Sequence, residues 1–240
     1  MSKIIFIYFI FFNFFNFFVH AEEKINIAYA SSLHPIMQNI LLEFGKEFNY
    51  KVASSFGGSG NLAQQVLQGA PFDMIISADQ TWIQYLNNKH MLKDKQDWIS
   101  NQLVFISNQE NDLMQLKIAE NEKLCLADPQ LAPLGTYSYQ VIHFYQLKFA
   151  KKSILHIRDS ASLLSNLKMG ECDYGIIFAS DLKKLNNRYH YQNIPTNTHQ
   201  EIIYTIGIIT HNSINEKFIL FLNSEKTKIK LNDHGFIIRP

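Results

Sequence analysis

Apolar and polar residues along the chain alternate between two rhythms. Ile25 to Ala30 is a short apolar run of strand type. Ile36, Met37, Ile40, Leu41, Phe44 and Phe48 then recur at the three-to-four-residue spacing of one helix face. Val52 to Phe56 predicts a second strand, and after a Gly-rich turn Leu62, Val66 and Leu67 predict a short helix stopped at Gly69. Met74 to Ser77 is a third strand, and Trp82, Tyr85 and Leu86 mark the next helix. A second block repeats the rhythm. Leu103 to Ile106 and Leu124 to Ala127 are apolar runs, and Tyr137, Val141, Ile142, Tyr145 and Leu147 follow at helical spacing. A short strand around Leu155 to Ile157, a helix with Leu163, Leu164 and Leu167, and the strand Tyr174 to Phe178 complete it. The β-rich run Ile202 to Thr210 is long enough to cross between two bodies, and Phe218, Phe221 and Leu222 make the tail helical. Strands alternating with helices predict an α/β fold with mostly parallel sheets covered on both faces. Pattern alone leaves one continuous sheet and two lobes joined by crossing strands both open.

The first 21 residues are of another kind. One positive charge, Lys3, precedes an apolar run from Ile4 to Val19, and Val19-His20-Ala21 ends it in a small-x-small pattern. This reads as a secretory signal peptide, residues 1–21, cleaved after Ala21, with an uncleaved membrane anchor as the other reading. Export makes a disulfide possible for Cys125 and Cys172; one bridge and two buried free thiols both remain open.

The 240 residues suffice for two compact lobes. With 47% hydrophobic and 18% charged residues and a formal net charge of +1, the chain is neither disordered nor built for nucleic acid.

Two loops put serine where a strand ends and a helix begins. One is AYASSL, Ala28 to Leu33, in which Ser32 suits an N-cap; the other is FGGSGNLAQQ, Phe56 to Gln65, in which glycines surround Ser59. A helix start offers free N–H groups and the positive end of the dipole, so the pair suggests an anion site at the carboxyl ends of neighbouring strands. The second block supplies matching helix starts at ADPQLAPLGTYS, Ala127 to Ser138, with the amide near Leu134, and at His156 to Ser160, with the Ser160 amide.

Catalysis finds little support. GGSGN lacks the last glycine of G-x-S-x-G, and the S-x-x-K matches Ser165-Lys168 and Ser180-Lys183 stand without companion motifs. The nine histidines show no metal-ligand spacing. Asp79 is expected to cap the helix starting near Thr81, Trp82 and Tyr85 to pack between helix and sheet, and Arg158 to form a salt bridge.

The succession AYASSL, FGGSGNLAQQ, GAPFDMIISADQTW (Gly69 to Trp82), ADPQLAPLGTYS, GECDYGIIFASD (Gly170 to Asp181) and HGF (His234 to Phe236) resembles the periplasmic molybdate-binding proteins of ABC transporters. The resemblance implies the type II periplasmic binding protein fold. Lobe 1 would comprise residues 22–102 and 207–240, and lobe 2 residues 103–206. It also implies that the chain captures molybdate or tungstate, with sulfate, phosphate or thiosulfate as the alternative oxyanions. The expected partner is the membrane permease of an ABC importer. The expected state is a periplasmic monomer with no catalysis, cofactor, nucleic acid or direct metal-ion ligand. Ser32 and Ser59 match the family's ligand-binding hydroxyls, and Leu134 and Ser160 its amide donors. The family's tyrosine falls at Phe178, where the donor is lost; a hydroxyl such as Ser180, or a water, would have to replace it.

Overall fold

The structure, a computed structural model, describes residues 24–110, 112–185 and 189–239. The expected signal peptide, residues 1–21, lies outside them. Among the described residues no helix is long and apolar enough to cross a membrane.

Two sheets organise the chain. The first contains β1 (Lys24–Ala30), β2 (Lys51–Gly57), β3 (Met74–Ser77), β4 (Asp94–Asn101), β10 (Ile202–Ile208) and β11 (Ile237–Ile238), in the order β11-β4-β10-β3-β1-β2. The second contains β5 (Leu103–Ser107), β6 (Leu124–Ala127), β7 (Ile154–Ile157), β8 (Tyr174–Phe178) and β9 (His190–Asn193), in the order β7-β6-β8-β5-β9. The fold is that of type II periplasmic binding proteins. Only Gln102 separates β4 from β5, and residues 194–201 return the chain from β9 to β10.

The strand–helix rhythm predicts mostly parallel pairing, and both sheets are in fact mixed. Parallel pairing is confined to β3-β1-β2 and β7-β6-β8, the strands fed by helical crossovers. Strands β10, β4, β11, β5 and β9 arrive by crossings or returns and pair antiparallel.

Alternation along the strands explains the layers. In β1, Ile27 and Tyr29 face one core with Met74 and Ile76 of β3, while Ala28 and Ile75 face the other. Helix α1 (His34–Phe48) covers the first face together with α6 (Ser213–Leu222), where Phe44 meets Phe218 edge-on at 4.9 Å. Leu62 and Val66 of α2 (Ser59–Leu67) and Ile83 and Leu86 of α3 (Gln80–Asn88) cover the second. Helices α4 (Pro133–Phe144) and α5 (Ser160–Met169) pack on the second sheet, and α7 (Glu225–Asp233) closes the tail.

Helix ends follow local chemistry. Asp79 accepts from Thr81 N–H at 2.8 Å and caps α3, as its place before the helix predicts. Asp159 caps α5 through Ser162 N–H, and left-handed Gly170 ends it. Cys125 and Cys172 form a disulfide, with Cα atoms 5.7 Å apart, joining β6 to the segment that leads into β8.

Candidate functional site

Four helix or turn starts converge where the two sheets face each other. They line a small cavity with about 10 Å³ of room for the centre of a water molecule. Ser32, Ser59, Leu134, Ser160 and Phe178 all line it, together with Ser31, Gly58 and Ala78. No lining residue carries a charged side chain.

Each residue arrives for a local reason. Strand β1 ends in a 3-10 turn, Ser31–Leu33, that places both serines before α1. The N-cap expected of Ser32 is not what its hydroxyl does. Leu33 occupies the cap of α1, no side chain caps it, and Ser32 Oγ instead lies 2.8 Å from Tyr204 Oη of β10. Helices α2 and α4 likewise start at Gly58 and Ala132 without a side-chain cap, so their first amides are not claimed by side chains. Ser59 Oγ accepts from Ala78 N–H at 3.1 Å. A hydroxyl that accepts from behind keeps its own proton for the cavity.

The second sheet contributes backbone. Leu134 is in the first turn of α4 and Ser160 begins α5. Helix α4 can sit this close to the end of β6 because residue 135 is glycine: a Cβ there would come within 2.4 Å of Ala127 O. Phe178, the last residue of β8, is buried and presents an apolar ring.

Contacts cross directly from one side to the other. Ser31 and Ser160 hydroxyls lie 3.1 Å apart, both buried. Tyr137 Oη of α4 donates to Ala78 O at 3.1 Å, so one residue serves Ser59 through its N–H and Tyr137 through its carbonyl. Gly58 lies so near Leu131 that a Cβ would meet the Leu131 carbonyl oxygen at 2.1 Å. The two halves are shut upon the cavity.

Some readings of the sequence need correction or completion. Ser180 does not line the cavity; it is buried behind it, where its hydroxyl accepts from Asn101 Nδ2 at 2.9 Å. Outside the lining, it makes no wall contact in place of the phenol absent at Phe178. Ser31 and Tyr204 were not singled out. Ser31 shares its loop signal with Ser32, whereas Tyr204 lies inside an apolar strand and looks like core. Arg158 is largely exposed and pairs with the buried Asp159 carboxylate at 3.1 Å. Among the described residues no group of three or more His, Cys, Asp or Glu side chains could hold a metal ion.

Residues 25–237 match the family of bacterial extracellular solute-binding proteins. The chain belongs to that family. Among relatives of this solute-binding protein, the molybdate-binding protein ModA of Haemophilus influenzae is 26% identical over 90% of this chain and 91% of its own length. ModA of Escherichia coli is 27% identical over 91% and 90%. The periplasmic molybdate-binding protein of Azotobacter vinelandii superposes with a TM-score of 0.80 at 18% identity, covering 90% of this solute-binding protein and 100% of that structure. The last comparison concerns the fold alone.

Proposed function

We propose that this solute-binding protein captures molybdate or tungstate in the cavity between its two halves and delivers it to the membrane permease of an ABC importer. It acts outside the cytoplasm as a monomer, without cofactor, catalysis or nucleic acid. The halves are two lobes, residues 24–101 with 202–239 and residues 103–193; the return boundary then falls before the 206/207 position expected from the sequence. Ser32 and Ser59 give hydroxyl donors, and Leu134 and Ser160 give amides.

The observation that carries this reading is the enclosed, uncharged cavity fed by helix starts from both sheets. Fixed N–H and O–H dipoles replace the water that a dianion loses, and the helix N-termini add their positive ends. A hydrogen bond to a charged group contributes roughly 1.5–3 kcal/mol, so a few convergent donors suffice for tight binding. Donors at a set radius discriminate by size, and donors without acceptors disfavour an anion that carries its own O–H. The two ModA relatives, matched along nearly their whole lengths, support the choice of molybdate.

A thermal-shift panel tests the proposal, because a ligand that binds only the folded chain raises its melting temperature. Molybdate and tungstate at micromolar concentration should raise it more than sulfate, thiosulfate or phosphate. A larger shift with one of the latter would replace the ligand while keeping the site. No shift with any oxyanion would remove the reading altogether.

A further inference from the structure

We propose that Tyr204 is a positioning residue that fixes the Ser32 hydroxyl as a donor toward the cavity, at the end of a one-way chain of hydrogen bonds from Asn101 through Tyr204 to Ser32. This rests on the reading of the cavity as an oxyanion site and adds to it how one donor is kept a donor.

The polarity begins at Asn101. Its Oδ1 accepts from the Gln102 N–H at 2.9 Å and from the Ser180 N–H at 3.4 Å. Backbone N–H groups can only donate, so the amide is oriented with its NH₂ on the other side. There Nδ2 lies 2.9 Å from Ser180 Oγ and 3.4 Å from Tyr204 Oη. An NH₂ group cannot accept, so the phenol oxygen accepts from it. The single phenol proton is then directed to Ser32 Oγ, 2.8 Å away. Ser32, having accepted, turns its own proton into the cavity it lines. Reversed, the chain would aim a serine lone pair at a dianion. Asn101, Ser180 and Tyr204 are all buried, so water does not compete for these bonds. Burial also raises the phenol above its ordinary range, the hydrogen bonds with Ser32 and Asn101 opposing, which keeps its proton in place at neutral pH.

Ser59 shows the same arrangement built from main chain: its oxygen accepts from Ala78 N–H, a donor that no side-chain substitution removes. Ser32 is the serine whose polarity hangs on a side chain. With Phe178 in the cavity wall, the Tyr204 phenol acts from one residue behind it, through Ser32. Its effect there is on selectivity as much as on affinity. A serine held as a donor turns its proton toward the O–H of hydrogen phosphate; a serine released from Tyr204 can rotate and accept that O–H.

Calorimetry on the full chain with molybdate, sulfate and phosphate at pH 7 tests this. The variants are Tyr204→Phe, Ser32→Ala, Ser59→Ala and the doubles of Tyr204→Phe with each serine change. Tyr204→Phe should weaken molybdate about tenfold, the scale of one charge-assisted hydrogen bond. Sulfate should weaken in parallel and phosphate severalfold less, so that the molybdate-to-phosphate ratio narrows. In the Ser32→Ala background Tyr204→Phe should cost less than about twofold, and on Ser59→Ala its full factor. A merely structural tyrosine would lower all three anions alike, whichever serine is present. That result, or unchanged molybdate affinity in folded Tyr204→Phe, overturns the proposal. If Tyr204→Phe does not fold, Asn101→Ala replaces it in the same cycle, with the same coupling to Ser32 expected and its absence equally decisive. A wild-type chain that binds none of the anions would bring down the reading of the cavity and this inference together. Wild-type binding without coupling would bring down the inference alone.

Discussion

The two walls of the cavity solve one problem with different chemistry. The wall on the first sheet offers serine hydroxyls, each supported from behind: Ser59 by the Ala78 N–H and Ser32 by Tyr204. The wall on the second sheet offers the starts of α4 and α5 at Leu134 and Ser160, and an apolar ring at Phe178. A hydroxyl can rotate and can be deleted by mutation, whereas a helix-start amide is fixed by the fold and survives most substitutions. The first wall therefore holds the chemistry that side chains can tune. The second holds shape and field. Only when the walls meet do both act on one guest.

Meeting of the walls should give the largest effect. Gly58 faces Leu131 across the seam, and a Cβ there would stand 2.1 Å from a carbonyl oxygen. Backbone on both sides cannot yield as a flexible side chain would. Gly58 has φ −63° and ψ 138°, so alanine fits its conformation and only the approach is blocked. Gly58→Ala should hold the halves apart and weaken molybdate by about a hundredfold or more, some 2.7 kcal/mol. The ligand-free chain should melt near the wild-type temperature. Calorimetry with a melting curve measures both, and tight binding by Gly58→Ala would mean that closure is not required.

The contrast between hydroxyl and amide gives the next effect. Ser59→Ala removes a donor to a charged group and should cost about 1.5–3 kcal/mol, roughly 10- to 150-fold in affinity. Leu134→Met keeps the amide and nearly the volume, and should weaken binding by no more than about threefold. Titration of both variants with molybdate reads the difference directly. Equal losses would erase the distinction between the walls.

Much of the fold was legible because apolar runs and helical spacing carry it. Strands β1, β3, β6 and β8 are buried at every position but Lys24 and Asn26 of β1, and their sequences read as strands on sight. Strand β4 did not. DKQDWISN starts exposed and polar, and it becomes a strand because β10 and β11 pair with it from more than a hundred residues away. Helix α7, EKTKIKLND, hides for the same reason: Thr227 and Leu231 alone are buried, against partners distant in sequence. The site divides in the same way. Ser32, Ser59, Leu134 and Ser160 were visible because a helix start is a local signal. Tyr204 was not, since a tyrosine in IIYTIGI looks like core, and its partner Ser32 lies 172 positions earlier. Local chemistry can be read along the chain; a hydrogen bond made by closure of the fold cannot.

The smallest effect concerns pH and again sets one half against the other. His199 lies on the return from the second sheet, its ring 6.1 Å from that of Tyr137, the tyrosine that reaches across to Ala78. Its Nδ1 is 2.7 Å from Gln200 O, while Nε2 is buried without a hydrogen-bond partner. Because Gln200 O can only accept, Nδ1 carries the proton and Nε2 is a bare acceptor. Burial therefore lowers the His199 pKa, the Gln200 bond opposing. His34, beside β1 on the first half, is lowered too, by burial and then by Lys184. A histidine depressed in the folded chain takes up its proton first in the unfolded one. Its stabilising effect is complete above the unfolded value, about 6.5, and is lost as pH falls from there through the folded value. Melting temperature should thus decline from pH 7 to pH 5. His199→Gln should flatten the decline more than His34→Gln, because His199 is the more deeply buried and has a nitrogen that protonation would leave as an unpaired donor. A steeper loss traced to His34 would move the acid-sensitive point from the return connection to the edge of the serine wall.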